Sequence, residues 1–153
     1  MKVITVAVTL LLNCLMSIGG NHKEEIPICF TPTNNRGNMD MRITVNGKVA
    51  KAVLYDNEAS RDFAALLPMT LVLEDYNNTE KIVEISKKLS IDGAPSGFDP
   101  DIGDLTYYEP WGNLALFYKD FGYSNGLVSL GKVTEGLALF KNKGKLKVTF
   151  ELD

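Results

Sequence analysis

From Met41 to Val45 the chain alternates: Met41, Ile43 and Val45 are apolar, while Arg42 and Thr44 are polar. A period of two fits a half-buried strand. Asn46-Gly47 follows, the pair best suited to a two-residue hairpin, because both central positions of a type I′ turn need positive φ. Lys48 to Leu54 then reads as the return strand. The period lengthens next: Ala59, Phe63, Leu66 and Leu67 share one helical face, so a helix is predicted from Glu58 to Leu67. Asp56 or Asn57 caps it and Pro68 stops it. Leu71–Glu74 and Lys81–Ile85 read as strands joined through Tyr76-Asn77-Asn78-Thr79. A long loop, Ser90 to Asp104, is broken by Gly93, Pro95, Gly97 and Pro100. Strand-like runs return at Leu105–Tyr108, Asn113–Tyr118 and Leu127–Leu130, and Val133–Phe140 reads ambiguously, with a helical turn as one option. In the last strand Leu146, Val148, Phe150 and Leu152 alternate with Lys147, Thr149 and Glu151. About eight short strands with one or two helices predict a mainly β domain, a closed barrel or a sandwich.

Residues 1–40 do not share this pattern. Lys2 is followed by an apolar or Thr run, Val3 to Leu12, too short for a membrane-spanning helix. Ser17-Ile18-Gly19 offers small residues where a signal peptidase reads them. Residues 1–20 are therefore expected to be a signal peptide, and the protein to be exported, periplasmic or extracellular. Leu11-Leu12-Asn13-Cys14 loosely resembles a lipoprotein box, and lipidation at Cys14 is the alternative that would bring a membrane into play; a retained N-terminal helix is the third reading. Residues 21–40, with Pro27, Pro32 and an Asn-rich turn cluster, read as a flexible tether. Residues 41–153 are the folded domain.

Composition narrows the chemistry. The chain has 153 residues and a formal net charge of −3, and loss of Lys2 with a leader makes it more acidic. A mildly acidic chain without a basic run does not point to nucleic acid, and the expected state is a monomer. The single histidine is His22, and the two cysteines are Cys14 and Cys29. Residues 41–153 thus lack the imidazole or thiol that a Ser-His-Asp or Cys-His centre needs. They also lack the usual zinc ligands. No Walker-type loop or dinucleotide fingerprint occurs, so no cofactor is implied. Asp92, Asp99, Asp101 and Asp104 cluster in the long loop, but their spacing is not that of a calcium-binding loop, and a solvated turn-rich segment is expected. No metal site is expected.

Aromatic residues carry the remaining signal. Eight fall between Phe98 and Tyr123. Leu114, Leu116 and Tyr118 share one face of a strand, and Ala115 and Phe117 the other. Most of these fill the core, whereas Phe98, Tyr108, Trp111, Phe121 and Tyr123 are the candidate ligand-binding residues, at or near turns where exposure beside a site is expected. Trp111, between Pro110 and Gly112, must either pack beneath the long loop, with Phe98 as nearest contact, or meet a partner.

Ile43-Thr44-Val45-Asn46-Gly47-Lys48, Ala52-Val53-Leu54-Tyr55 and Arg61-Asp62-Phe63-Ala64-Ala65-Leu66 resemble the opening hairpin and first helix of cyclophilins. Gly131-Lys132-Val133-Thr134-Glu135-Gly136-Leu137 resembles their late Gly-Lys-Val signature. Gly103–Tyr108 and Pro110–Tyr118 are similar to runs in the smaller bacterial cyclophilin-like proteins. The resemblance covers about residues 41 to 142 and implies an eight-stranded barrel closed by two helices. It also implies a peptide or small-molecule ligand in a barrel-side groove, with weak peptidyl-prolyl isomerisation as the alternative. Isomerases of that family place an arginine, within a Phe-His-Arg-Val segment, against the prolyl nitrogen. It disrupts an amide resonance that sets a barrier of roughly 18–20 kcal/mol. The matching stretch here is Leu71-Val72-Leu73-Glu74-Asp75-Tyr76, and no arginine follows Arg61. Strong catalysis, and any catalytic residue of that kind, is therefore not expected.

Overall fold

The computed structural model describes residues 37–153. The expected signal peptide, Cys14, His22, Cys29 and nearly all of the tether lie outside the described residues. Strand β1, Met39–Val45, begins two residues inside the expected tether and turns back through Asn46-Gly47 into β2, Lys48–Leu54. Val45 pairs with Lys48 across this turn. Asn46 and Gly47 take φ of 48° and 76°, the positive values a two-residue turn demands.

Helix α1 spans Glu58–Ala64 and is capped by Asn57, whose side chain accepts from the Ser60 N–H at 2.9 Å. It ends three residues before the sequence pattern predicts. Leu66 and Leu67 bond back to Phe63 and Ala64 in tighter three-residue turns. Pro68 crowds the residue before it out of helical geometry, so the apolar face outlasts the helix. The second helix implied by the resemblance is a single 3-10 turn, Leu137–Phe140, leaving one α-helix among the described residues.

The remaining strands are β3 (Met69–Tyr76), β4 (Glu80–Glu84), β5 (Gly97–Phe98), β6 (Asp104–Tyr108), β7 (Asn113–Phe117), β8 (Ser124–Asn125), β9 (Leu127–Glu135) and β10 (Leu146–Leu152). Eight of the ten strands close into an antiparallel barrel in the order β1-β10-β3-β4-β7-β6-β9-β2, while β5 and β8 form a separate two-residue ribbon. The ribbon interrupts the loop expected over residues 90–104. The loop's acidic residues do not gather around a site: Asp104 is buried, accepts from the Asp101 N–H at 2.8 Å and faces Lys132 at 3.3 Å.

Alternation on each strand sends one side chain in two to the barrel interior. Met41, Ile43, Leu73, Leu116, Val148 and Phe150 belong to that core, and α1 contributes Ala59, Phe63 and Ala64. The Phe63 ring meets Phe150 edge-on at 5.8 Å. Ser60 is buried and donates its hydroxyl to the Leu130 carbonyl at 2.7 Å, which ties α1 to β9. Strand β9 is irregular, with register shifts against both β2 and β6. Gly131 sits between those two neighbours. A Cβ there would lie 2.0 Å from the Val53 carbonyl oxygen and 2.9 Å from the Leu54 Cα.

The barrel also carries apolar side chains outside. Ala115, Phe117 and Leu127 form a second buried cluster, with Ile82, Phe98 and Tyr108 packed on it. That outer cluster positions the candidate site.

Candidate functional site

Directly opposed residues in an antiparallel sheet point to the same face. Tyr76 opposes Glu80 across β3–β4, and Glu80 opposes Phe117 across β4–β7, so the three make one row on the outer face. Ile82 and Ala115 make the next row. Glu84, Asn113, Tyr108 and Leu127 make the third. From Glu80 to Glu84 is four residues, roughly 13 Å of strand. The turn after β6 then places Trp111 against Tyr76 and Tyr108, and the segment after β7 places Phe121 against Phe117.

The resulting groove has a volume of about 260 Å³, and Tyr76, Tyr108, Trp111, Phe117 and Phe121 supply its aromatic lining. Tyr76 and Tyr108 stand edge-on to Trp111, with ring centroids 5.7 and 5.6 Å away and interplanar angles of 87° and 78°. Phe121 lies 5.2 Å from Phe117. Trp111 remains 56 % exposed.

Two polar groups are built into this apolar floor. Glu80 is buried, and burial pushes its carboxyl above the usual carboxylate range, opposed by a hydrogen bond from the Thr79 hydroxyl. Asn113 is 3 % exposed; its amide donates to the Leu114 carbonyl at 3.0 Å, and its Oδ1 has no hydrogen-bond partner. The groove's lining includes no Lys, Arg or His. Both described arginines are engaged elsewhere, Arg42 with Glu151 and Asp153, and Arg61 with Asp56 and Glu58.

The inner face of the same strand carries a different polar group. Lys81, whose side chain is wholly buried, sets its ammonium 2.8 Å from Asp75 and donates to the carbonyls of Asn142 and Gly144. Asp75 also accepts from the Tyr118 hydroxyl at 2.7 Å and the Gly144 N–H at 2.8 Å. Burial alone would raise the Asp75 carboxyl, but the bonds from Lys81, Tyr118 and Gly144 hold it below the usual range. Burial and the Asp75 carboxylate together push the Tyr118 phenol up to about 12.

Of the five residues expected to bind a ligand, Tyr108, Trp111 and Phe121 are brought together in the groove. Phe98 does not cover Trp111. It packs on the outer apolar cluster and lines a second hollow of about 240 Å³ beside Ala59, Ala94 and Pro95. Tyr123 is 58 % exposed and lies over the β5–β8 ribbon, its hydroxyl 3.3 Å from that of Ser96. Tyr76, Glu80 and Asn113 are the groove residues that sequence reasoning missed. Tyr76 read as a turn residue, and nothing in the local pattern announces that Glu80 opposes both Tyr76 and Phe117.

A closed antiparallel barrel of eight strands with an aromatic groove on its outer wall defines the class. The sequence matches the cyclophilin-like family over residues 43–151, and the chain belongs to that family. Its fold is similar to the solution structure of the hypothetical protein AF2241 from Archaeoglobus fulgidus. That match has 21% sequence identity and a TM-score of 0.56, and it covers 78% of this chain and 99% of that one. No curated protein matches the sequence significantly.

Proposed function

We propose that this cyclophilin-like domain binds a peptide or small molecule in its outer groove without strong catalysis, and that the protein acts after export. The observation that carries the reading is the setting of Trp111. A large ring more than half exposed, braced by two tyrosines over a preformed apolar hollow, is an arrangement that a ligand completes. A folded core gains little from leaving it there. The lack of any cation in the lining argues against strong prolyl isomerisation, since no guanidinium is placed to draw electron density from the prolyl nitrogen. The export reading rests on the leader-like pattern of residues 1–20.

Trp111 itself reports on the test. Titration with a library of small molecules and short peptides, followed by indole fluorescence and thermal shift, should find ligands that change both. A ligand at 100 times its Kd adds roughly 2.7 kcal/mol of stability. Ligands that stabilise the fold without perturbing the indole would move the binding site elsewhere. Weak peptidyl-prolyl isomerisation is the enzymatic alternative, and an exchange assay on a proline peptide measures it directly. A rate matching a true cyclophilin would overturn the non-catalytic reading.

A further inference from the structure

The groove's polar groups are all of one sign or neutral. Glu80 is its one carboxylic acid, and no Lys, Arg or His lines it. An anionic ligand would meet the Glu80 carboxyl with no cationic side chain in the lining to offset it. A wholly apolar ligand would bury Glu80 further without giving its carboxyl a charged partner, and that desolvation opposes binding. A cation answers the Glu80 carboxyl, and the aromatic lining adds to it. Aromatic faces attract ammonium groups through their quadrupoles, most strongly when water is excluded. Tyr76 and Phe117 flank Glu80 directly across its two strand partners, and Trp111 stands beside Tyr76.

We propose that the groove binds an organic ammonium ion, its charged head between Glu80 and the rings of Tyr76, Phe117 and Trp111. Its apolar body lies along Ile82, Ala115 and Leu127. This rests on the reading of the groove as a ligand site and narrows it to one charge class. The same head occurs on a small amine and on a methylated lysine of a peptide. Both sources present the chemistry recognised here.

Four probes separate the possibilities: choline, its neutral isostere 3,3-dimethylbutan-1-ol, a capped peptide carrying trimethyllysine, and the same peptide carrying norleucine. Binding is read from the Trp111 indole resonance and fluorescence. Choline or the trimethyllysine peptide should bind saturably, at least tenfold tighter than its neutral counterpart. Glu80→Gln should weaken the cation at least tenfold and leave the neutral probe unchanged. Preference for choline alone, or for the peptide alone, supports the proposal and identifies the source. Equal binding of the neutral probes, or unchanged cation affinity in Glu80→Gln, overturns the charge assignment while leaving the groove a ligand site. If no probe perturbs Trp111, the ammonium proposal fails, and the library titration alone decides whether the groove binds anything.

Discussion

The ammonium of Lys81 lies 2.8 Å from the carboxylate of Asp75, on a side chain fully removed from solvent. Removing one partner of such a pair strands the other, which costs about 3–5 kcal/mol, whereas replacing both by apolar residues of similar volume is often close to neutral. Asp75→Asn and Lys81→Met are each expected to lower stability by that amount. The double variant Asp75→Leu with Lys81→Met should recover much of the loss. Urea denaturation at pH 7 measures all three; additive losses in the double variant would contradict the pairing.

The pH profile follows from the same group. Asp75 has a depressed folded pKa, so its contribution is present above the ordinary value of 3.8 and is lost as pH falls below it. Tyr118 is raised from 10.0 to about 12, so its contribution is intact below pH 10 and lost as pH rises toward 12. Tyr118→Phe should therefore flatten the alkaline limb of the stability curve and weaken the acid limb. An unchanged alkaline limb would show that the phenol does not control it.

Trp111→Ala should cost less than about 2 kcal/mol, because over half of the ring is already in water. A fully buried ring would cost about 3–5 kcal/mol. The substitution should abolish ligand binding while the denaturation midpoint moves little. A large fall in midpoint would instead make the indole a structural element of the fold.

Gly131→Ala tests the close passage of β9 against β2. The added methyl would meet backbone atoms on Val53 and Leu54, which cannot rotate away as a side chain can. Separation of the two strands is expected, with a loss of about 3 kcal/mol or more, in the range of severe overpacking. Gly122→Ala, where nothing lies within 4 Å, is the control and should be nearly neutral. Equal stability of the two variants would refute the contact.

Export predicts that mature protein from the native host lacks Met1, with cleavage near Gly19. Intact-mass measurement reads this directly. A chain beginning at Met1 refutes removal of the leader, and a diacyl mass on Cys14 selects the lipid-anchored form.

The hairpin at Asn46-Gly47 and the alternation from Leu146 to Phe150 were legible because turn chemistry and strand period act over a few residues. Both appear as read. The division of β7 into Leu114 and Leu116 inward and Ala115 and Phe117 outward was legible for the same reason. Trp111 was identifiable as a residue in need of a partner, yet its neighbours were not Phe98 but Tyr76 and Tyr108. Tyr76 and Phe117 are 41 positions apart in sequence and come to flank Glu80 only through the pairing of β4 with both β3 and β7. Long-range register of that kind leaves no local trace in a single sequence. The truncated α1 was missed because helical periodicity in Leu66 and Leu67 records burial, which a turn can provide as well as a helix.

Strand β10 lies between β1 and β3, so the first and last strands of the barrel are hydrogen-bonded neighbours. Until residues 146–152 are in place, β1 and β3 each present a full row of unpaired N–H and C=O groups, and such open margins template association with other chains. A growing or clipped chain is thus vulnerable until β10 arrives. Loss of those seven residues should convert a self-contained protein into an aggregating one, even though the groove lies on other strands.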